Sequence, residues 1–197
     1  MRHKPCGGGS IMDITAHSVT LISIIIGFGL AEMFGNLLRL IHNRSRVRWD
    51  FLPLAWVVTL FFVVLNYWWA LYLRVDGSQH ARTAAEFGVI LAPPLLLFVA
   101  TASVLHGFGP DNDWDMRRHY ESQRKVYILT FALYQVSTFT TALVVGDLAW
   151  NFLTIVRFII FALLISMLFT KSRYWDWVAV LTIMAALFVR LNMQVVR

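Results

Sequence analysis

The sequence predicts an all-α polytopic membrane protein, a bundle of six transmembrane helices arranged as three helical hairpins. Three observations carry that expectation: long apolar segments, a small charged fraction, and basic residues gathered in alternate loops. Of the 197 residues, 58% are hydrophobic and 14% charged, and mean hydropathy is +0.64. A soluble domain carries about 25% charged residues, so this chain lacks the polar surface that water requires. No polar stretch exceeds about twenty residues, too short to build a separate core. Eight Trp, fifteen Phe and six Tyr suit the aromatic belts that anchor helices at membrane interfaces. A net charge of +6 in such a chain points to cytoplasmic loops and away from a nucleic-acid partner.

Residues 1–12 read as a flexible, glycine-rich extension and residues 13–197 as the transmembrane domain. The one cysteine, Cys6, allows no internal disulfide. The first apolar run ends in Leu38-Arg39-Leu40 and has no small-residue cleavage site, so it reads as a span and not as a signal peptide.

Each span is measured against the roughly 20 residues that cross a bilayer. The first runs from Ile14 to Ile41 and stops at the basic loop that holds Arg44, Arg46 and Arg48. The second runs from Phe51 to Leu73, with Pro53 in its first turn, where a missing N–H is harmless. Asn66, Tyr67, Trp68 and Trp69 mark its far end. A short turn around Asp76 leads to the third span, Ala84 to Leu105, where the adjacent Pro93 and Pro94 predict a kink or break. Such a break either serves packing or opens the backbone to a cavity.

The fourth span, Val126 to Val145, is the least apolar. Its Tyr134, Gln135, Ser137, Thr138, Thr140 and Thr141 are expected to bond across helices inside the bundle. Gly146 and Asp147 turn the chain into the fifth span, Leu148 to Phe169, which carries Arg157. The sixth runs from Tyr174 to Met193.

Charge sets the expected topology. Arg44, Arg46, Arg48, Arg117, Arg118, Arg124, Lys125, Lys171 and Arg173 follow spans one, three and five, against Arg74, Arg82 and Arg197 opposite; the leader's Arg2 and Lys4 weaken that bias without reversing it. Under the positive-inside rule both termini lie outside the cytoplasm of an inner membrane, and Arg44, Arg46, Arg48, Arg117 and Arg118 face lipid headgroups. The opening run, the basic loop and the Asn66–Trp69 end have a general likeness to small bacterial membrane proteins, which carries no activity with it.

Each of those loops also holds the dipeptide Trp-Asp: Trp49-Asp50, Trp114-Asp115 and Trp175-Asp176. Phe62, Val63, Leu65 and Asn66 match Phe188, Val189, Leu191 and Asn192 without a gap, as duplicated hairpins would. Helix capping by Asp and headgroup anchoring by Trp explain the dipeptide without any duplication, and that is the favoured reading.

Two constellations stand out in span one. Gly27, Ala31 and Gly35 recur every four residues and leave a helix face on which another helix can pack closely. Beside it Glu32, Asn36 and Arg39 form a polar seam. A carboxylate at membrane depth persists only when paired, solvated or functional. Glu32 therefore either pairs with Arg157 or Arg39 or carries protons or cations.

Asp111, Asn112, Asp113 and Asp115 open like a calcium loop, but Met116 and Ser122 occupy the positions that need glycine and glutamate. The histidines show no metal spacing, and no nucleotide-binding or nucleophile motif occurs. The sequence implies no metal, no cofactor and no enzyme. It implies contact with the bilayer, and either self-association or a place as a non-catalytic subunit of a membrane assembly. The alternative is a channel or proton-linked transporter built on Glu32.

Overall fold

Capping and length together define the elements. The computed structural model describes residues 9–74, 83–106, 115–145, 152–170 and 172–195. They form six helices: α1 (Gly9–His42), α2 (Phe51–Arg74), α3 (Ala84–Ser103), α4 (Met116–Val145), α5 (Phe152–Phe169) and α6 (Arg173–Val195). The described residues contain no strand; Arg48 and Asp115 form one isolated bridge. Helix α1 already includes Gly9 to Met12, within the expected extension. The turns at Asp76 and Asp147, and Asp111 to Trp114 of the calcium-like loop, lie outside the described residues.

Three helix starts show their cause. Asp50 Oδ1 accepts from the amide of Leu52 at 3.1 Å and so caps α2. Thr83 caps α3 by accepting from Glu86 N at 3.2 Å. Asp115 Oδ1 caps α4, accepting from Arg117 N at 3.0 Å and Arg118 N at 3.1 Å.

Five helices are long and apolar enough to cross a membrane; in α5 the corresponding apolar stretch, Thr154–Phe169, is shorter. Their outer faces are hydrophobic: Phe28, Phe51, Phe169, Leu181 and Phe188 are all exposed. Such a surface is insoluble in water and at home in lipid tails, so the chain is an integral membrane protein.

Around the bundle the helices touch in the order α1, α3, α4, α5, α6, α2 and back to α1, while α2 also reaches α3 and α4. Helix α2 is the most enclosed, and it buries Leu52, Trp56, Thr59, Leu60, Val63 and Asn66. The polar α4 borders α2, α3 and α5, but most of its hydroxyls do not reach across. Ser137, Thr138 and Thr140 donate to the carbonyls of Tyr134, Gln135 and Val136 in their own helix. This is ordinary back-bonding by Ser and Thr at i−3 and i−4. Thr141 does reach across, as do Tyr120 and Tyr127 nearer the start of the helix.

Pro93 and Pro94 are buried, and α3 runs through them without a break. Pro93 lacks the N–H that would bond the carbonyl of Val89. Thr141 Oγ1 of α4 donates to that carbonyl at 3.1 Å. A neighbouring helix thus satisfies an acceptor freed by proline, which removes the reason for the helix to open.

Close approach falls at a different glycine from those expected. At Gly29 an added Cβ would collide with the Thr101 hydroxyl and crowd the Phe98 backbone at 3.3 Å. At Gly27 and Gly35 a Cβ would meet nothing within 4 Å. Ile22, Ile26, Met33 and Leu40 share the buried side of α1 with Gly29. At about 100° per residue, Gly27, Ala31 and Gly35 lie on the opposite side, away from the rest of the chain.

Candidate functional site

Three polar groupings are built on this frame, and the seam on α1 is the first. Asn36 is buried, and its Nδ2 donates to Glu32 Oε1 at 3.0 Å. Glu32 and Arg39 are exposed on the outer side. Helices α1 and α5 are not in contact, so Glu32 and Arg157 do not pair. The expected ion pair fails because α3 and α2, not α5, flank α1 in the bundle. One carboxylate–amide bond holds what remains of the seam.

The second grouping contains Arg157. A cavity of about 70 Å³ lies among α2, α4, α5 and α6, where Asn66, Tyr134, Gln135, Arg157 and Arg190 meet Val63, Phe131 and Ile183. A second cavity of about 90 Å³ adjoins it and shares Asn66, Tyr134, Arg157 and Arg190, adding Tyr67, Pro93, Thr138 and Thr141. Each helix contributes for a local reason. Asn66 comes from the inward face of α2, two turns beyond Thr59; Tyr134 and Gln135 are buried on α4; Arg157 and Arg190 are half-buried on α5 and α6. Tyr134 is fixed by stacking on Phe131, ring centroids 5.7 Å apart, and by an edge contact with Tyr67 at 6.4 Å. The Nδ2 of Asn66 is buried and has no hydrogen-bond partner. Among the described residues no carboxylate lines either cavity.

The third grouping lies at the end where α2, α4 and α6 begin. Asp176, in the first turn of α6, is enclosed by α4: Arg124 NH2 reaches its Oδ1 at 2.6 Å and Arg124 Nε its Oδ2 at 2.9 Å. The Tyr120 hydroxyl donates to Oδ2 at 3.2 Å and accepts from Trp56 Nε1 at 3.2 Å. Arg124 also donates to the Thr170 carbonyl at 2.7 Å. This carboxylate is 2% exposed and its arginine 12%, so the pair is bidentate and nearly dry.

Arg173, also at the start of α6, pairs with Asp50, and Arg48 pairs with Asp115 at 3.7 Å. The three Trp-Asp aspartates therefore form a closed circuit. The first loop gives an arginine to the aspartate before α4, α4 gives one to α6, and the start of α6 gives one back to the first loop. The Asp115 carboxyl is held below the usual carboxylate range, first by the Arg118 amide, then by the Arg117 amide and the Arg48 and Arg117 charges, against some desolvation.

Among the described residues three-fold order shows in that pairing and in the contact within each helical hairpin, but not in the roles of the matching residues. Asp50 and Asp115 cap their helices, whereas Asp176 sits inside α6 and serves Arg124. Asn66 is buried in a cavity wall, whereas its counterpart Asn192 is exposed and donates to Phe188 O at 2.8 Å. Helix α1 packs on α3, but α3 does not pack on α5.

Of the sequence-predicted residues, Arg157 lines both cavities and Pro93 the second; Glu32, Asn36 and Arg39 line neither. Arg44 and Arg46 are exposed in the first loop, and Arg117 is spanned by Glu121 at 3.1 Å on the surface. Arg118 is exposed. The Arg124–Asp176 clasp and the place of Asn66 are not foreseen by sequence reasoning. The only signals are an arginine just before the expected fourth span, which the structure places two turns inside α4, and an asparagine deep in an apolar run. Comparison with known proteins finds no matching family model, no matching curated protein and no matching solved structure.

Proposed function

We propose that this is a non-catalytic inner-membrane protein that works as a homo-oligomer or as a subunit of a larger membrane assembly, with α1 as its contact helix. One observation carries the reading. Glu32 lies ten residues before His42, about 15 Å along the axis, and is exposed beside the bare face of Gly27 and Ala31. A charge facing lipid at that depth costs about 3 kcal/mol or more. A second helix packed on the small residues would cover Glu32 and supply the counter-charge that the Asn36 amide does not. In this reading all six helices cross the bilayer, α5 included, with the basic loops in the cytoplasm and both termini outside.

The test measures particle mass in detergent and the proteins that co-purify. The wild type is expected to be larger than one chain, and Gly35→Leu to release the single chain with its fold intact, because a Cβ at Gly35 would meet nothing within 4 Å. A monomeric wild type with no bound subunit rejects the proposal.

The second reading is a small-solute transporter, favoured by the cavities at Pro93 and Arg157. Flux through proteoliposomes separates the two, since association through α1 by itself moves no solute.

A further inference from the structure

The cavities between α2, α4, α5 and α6, the second also bordered by α3, have a chemistry of their own, independent of how α1 associates. Their polar lining is rich in donors: two guanidiniums from Arg157 and Arg190, the amide groups of Asn66 and Gln135, and the hydroxyl of Tyr134. A guanidinium has no acceptor, and its planar fork matches a carboxylate or phosphate. The remaining walls are apolar, which strengthens any charge–charge contact within them. Asn66 supplies the second, independent observation. It is 4% exposed, it lines both cavities, and its Nδ2 points a donor at no acceptor in the protein. A buried amide left so is costly unless something else accepts from it.

We propose that this paired cavity binds one small oxyanion, a carboxylate or phosphate group, that accepts hydrogen bonds from Asn66 Nδ2 and is held by Arg157 and Arg190. Size restricts the ligand further. At about 70 and 90 Å³ the two spaces fall well below the roughly 300–1,000 Å³ of pockets for drug-sized molecules. They accept a free phosphate, a short carboxylate or the phosphate of a lipid headgroup, and exclude a nucleotide. Tyr134, wedged between Phe131 and Tyr67, fixes the wall that both spaces share.

The test uses the full chain in phosphatidylcholine nanodiscs, with sodium acetate and sodium phosphate as probes and sodium chloride at matched ionic strength as control. Equilibrium dialysis with labelled acetate or phosphate is expected to count one saturable site per chain. The thermal midpoint is expected to rise saturably with the same anion, as binding to the folded state requires. Asn66→Leu and Arg157→Gln should each weaken binding tenfold or more. Dialysis on the wild type remains decisive even where a variant does not fold.

Lipid arms identify the source. If phosphatidylglycerol discs stabilise the wild type over phosphatidylcholine discs, and Asn66→Leu abolishes the difference, the oxyanion is a headgroup phosphate. If phosphatidylglycerol leaves acetate or phosphate binding unchanged, it is a free solute. Absence of saturable binding from either source, or binding that survives both substitutions, overturns the proposal.

Discussion

The hydroxyl of Thr141 on α4 donates to the carbonyl of Val89 on α3, the acceptor that Pro93 leaves without its usual partner. The hydroxyl lies 2.9 Å from Ser137 O as well, so it sits between its own helix and the neighbouring one. The bond joins two helices at the point where one has lost part of its internal ladder.

Replacement of Thr141 by Val keeps the shape and removes the donor. It should cost about 1 kcal/mol or more, the penalty of leaving a part-buried carbonyl unpaired, read as a lowered thermal midpoint in detergent. Thr141→Ser should retain most of the stability. In a Pro93→Ala background the Val89 carbonyl can regain its own helix partner, so Thr141→Val should there be nearly neutral. Equal losses in both backgrounds would show that the bond does not serve the proline.

The Arg124–Asp176 clasp makes a sharper prediction. Removing one member strands the other charge in a nearly dry site, at roughly 3–5 kcal/mol. Arg124→Gln and Asp176→Leu should each destabilise strongly, while the double variant Arg124→Leu/Asp176→Leu should be less damaging than the sum. A thermodynamic cycle that closes with no coupling energy contradicts the pairing.

Gly29 and Gly35 should separate folding from association. Gly29→Leu drives a side chain into Thr101 and Phe98 and should lower the stability of the single chain by roughly 2 kcal/mol or more, the upper range of core overpacking. Gly35→Leu should leave that stability unchanged. Proteolytic resistance of the monomeric fraction measures the first effect apart from any assembly. If the two substitutions behave alike, α1 does not present two distinct faces.

Asp115 gives a pH signature. Its folded-state pKa lies below the unfolded value, so its contribution is fully present above the unfolded value and is lost as pH falls through the folded one. Asp115→Asn retains a capping side chain without the charge. Wild type should therefore be the more stable at neutral pH, and the two should converge as pH falls below the ordinary carboxylate range. A constant gap across the titration would exclude the charge as the cause.

Topology is checked by labelling. In a Cys6→Ser background, cysteines at Arg46 and Arg118 should resist an impermeant thiol reagent in intact cells, and one at Gly77 should react. The reverse pattern would invert the proposed orientation.

Composition and hydrophobic run length alone determined that this chain is helical and belongs in a membrane, because those properties are sums over residues and need no knowledge of neighbours. Helix starts were legible for the same reason: a cap such as Asp50 or Asp115 acts within three residues of itself. Only the tertiary structure decided which helices are neighbours, and every partner choice follows from that order. Arg157 and Glu32 look like partners in sequence because both are charges in apolar runs, yet α5 lies against α4 and α6 and never meets α1. Asp176 has the position of a cap but is the buried partner of Arg124, 52 positions away in sequence. Gly27, Ala31 and Gly35 announce a packing face by their spacing, but spacing gives the same signal whether the partner is within the chain or outside it. The chain packs Gly29 instead and leaves that face outward. Residue type sets what a side chain needs, and three-dimensional packing sets what it finds.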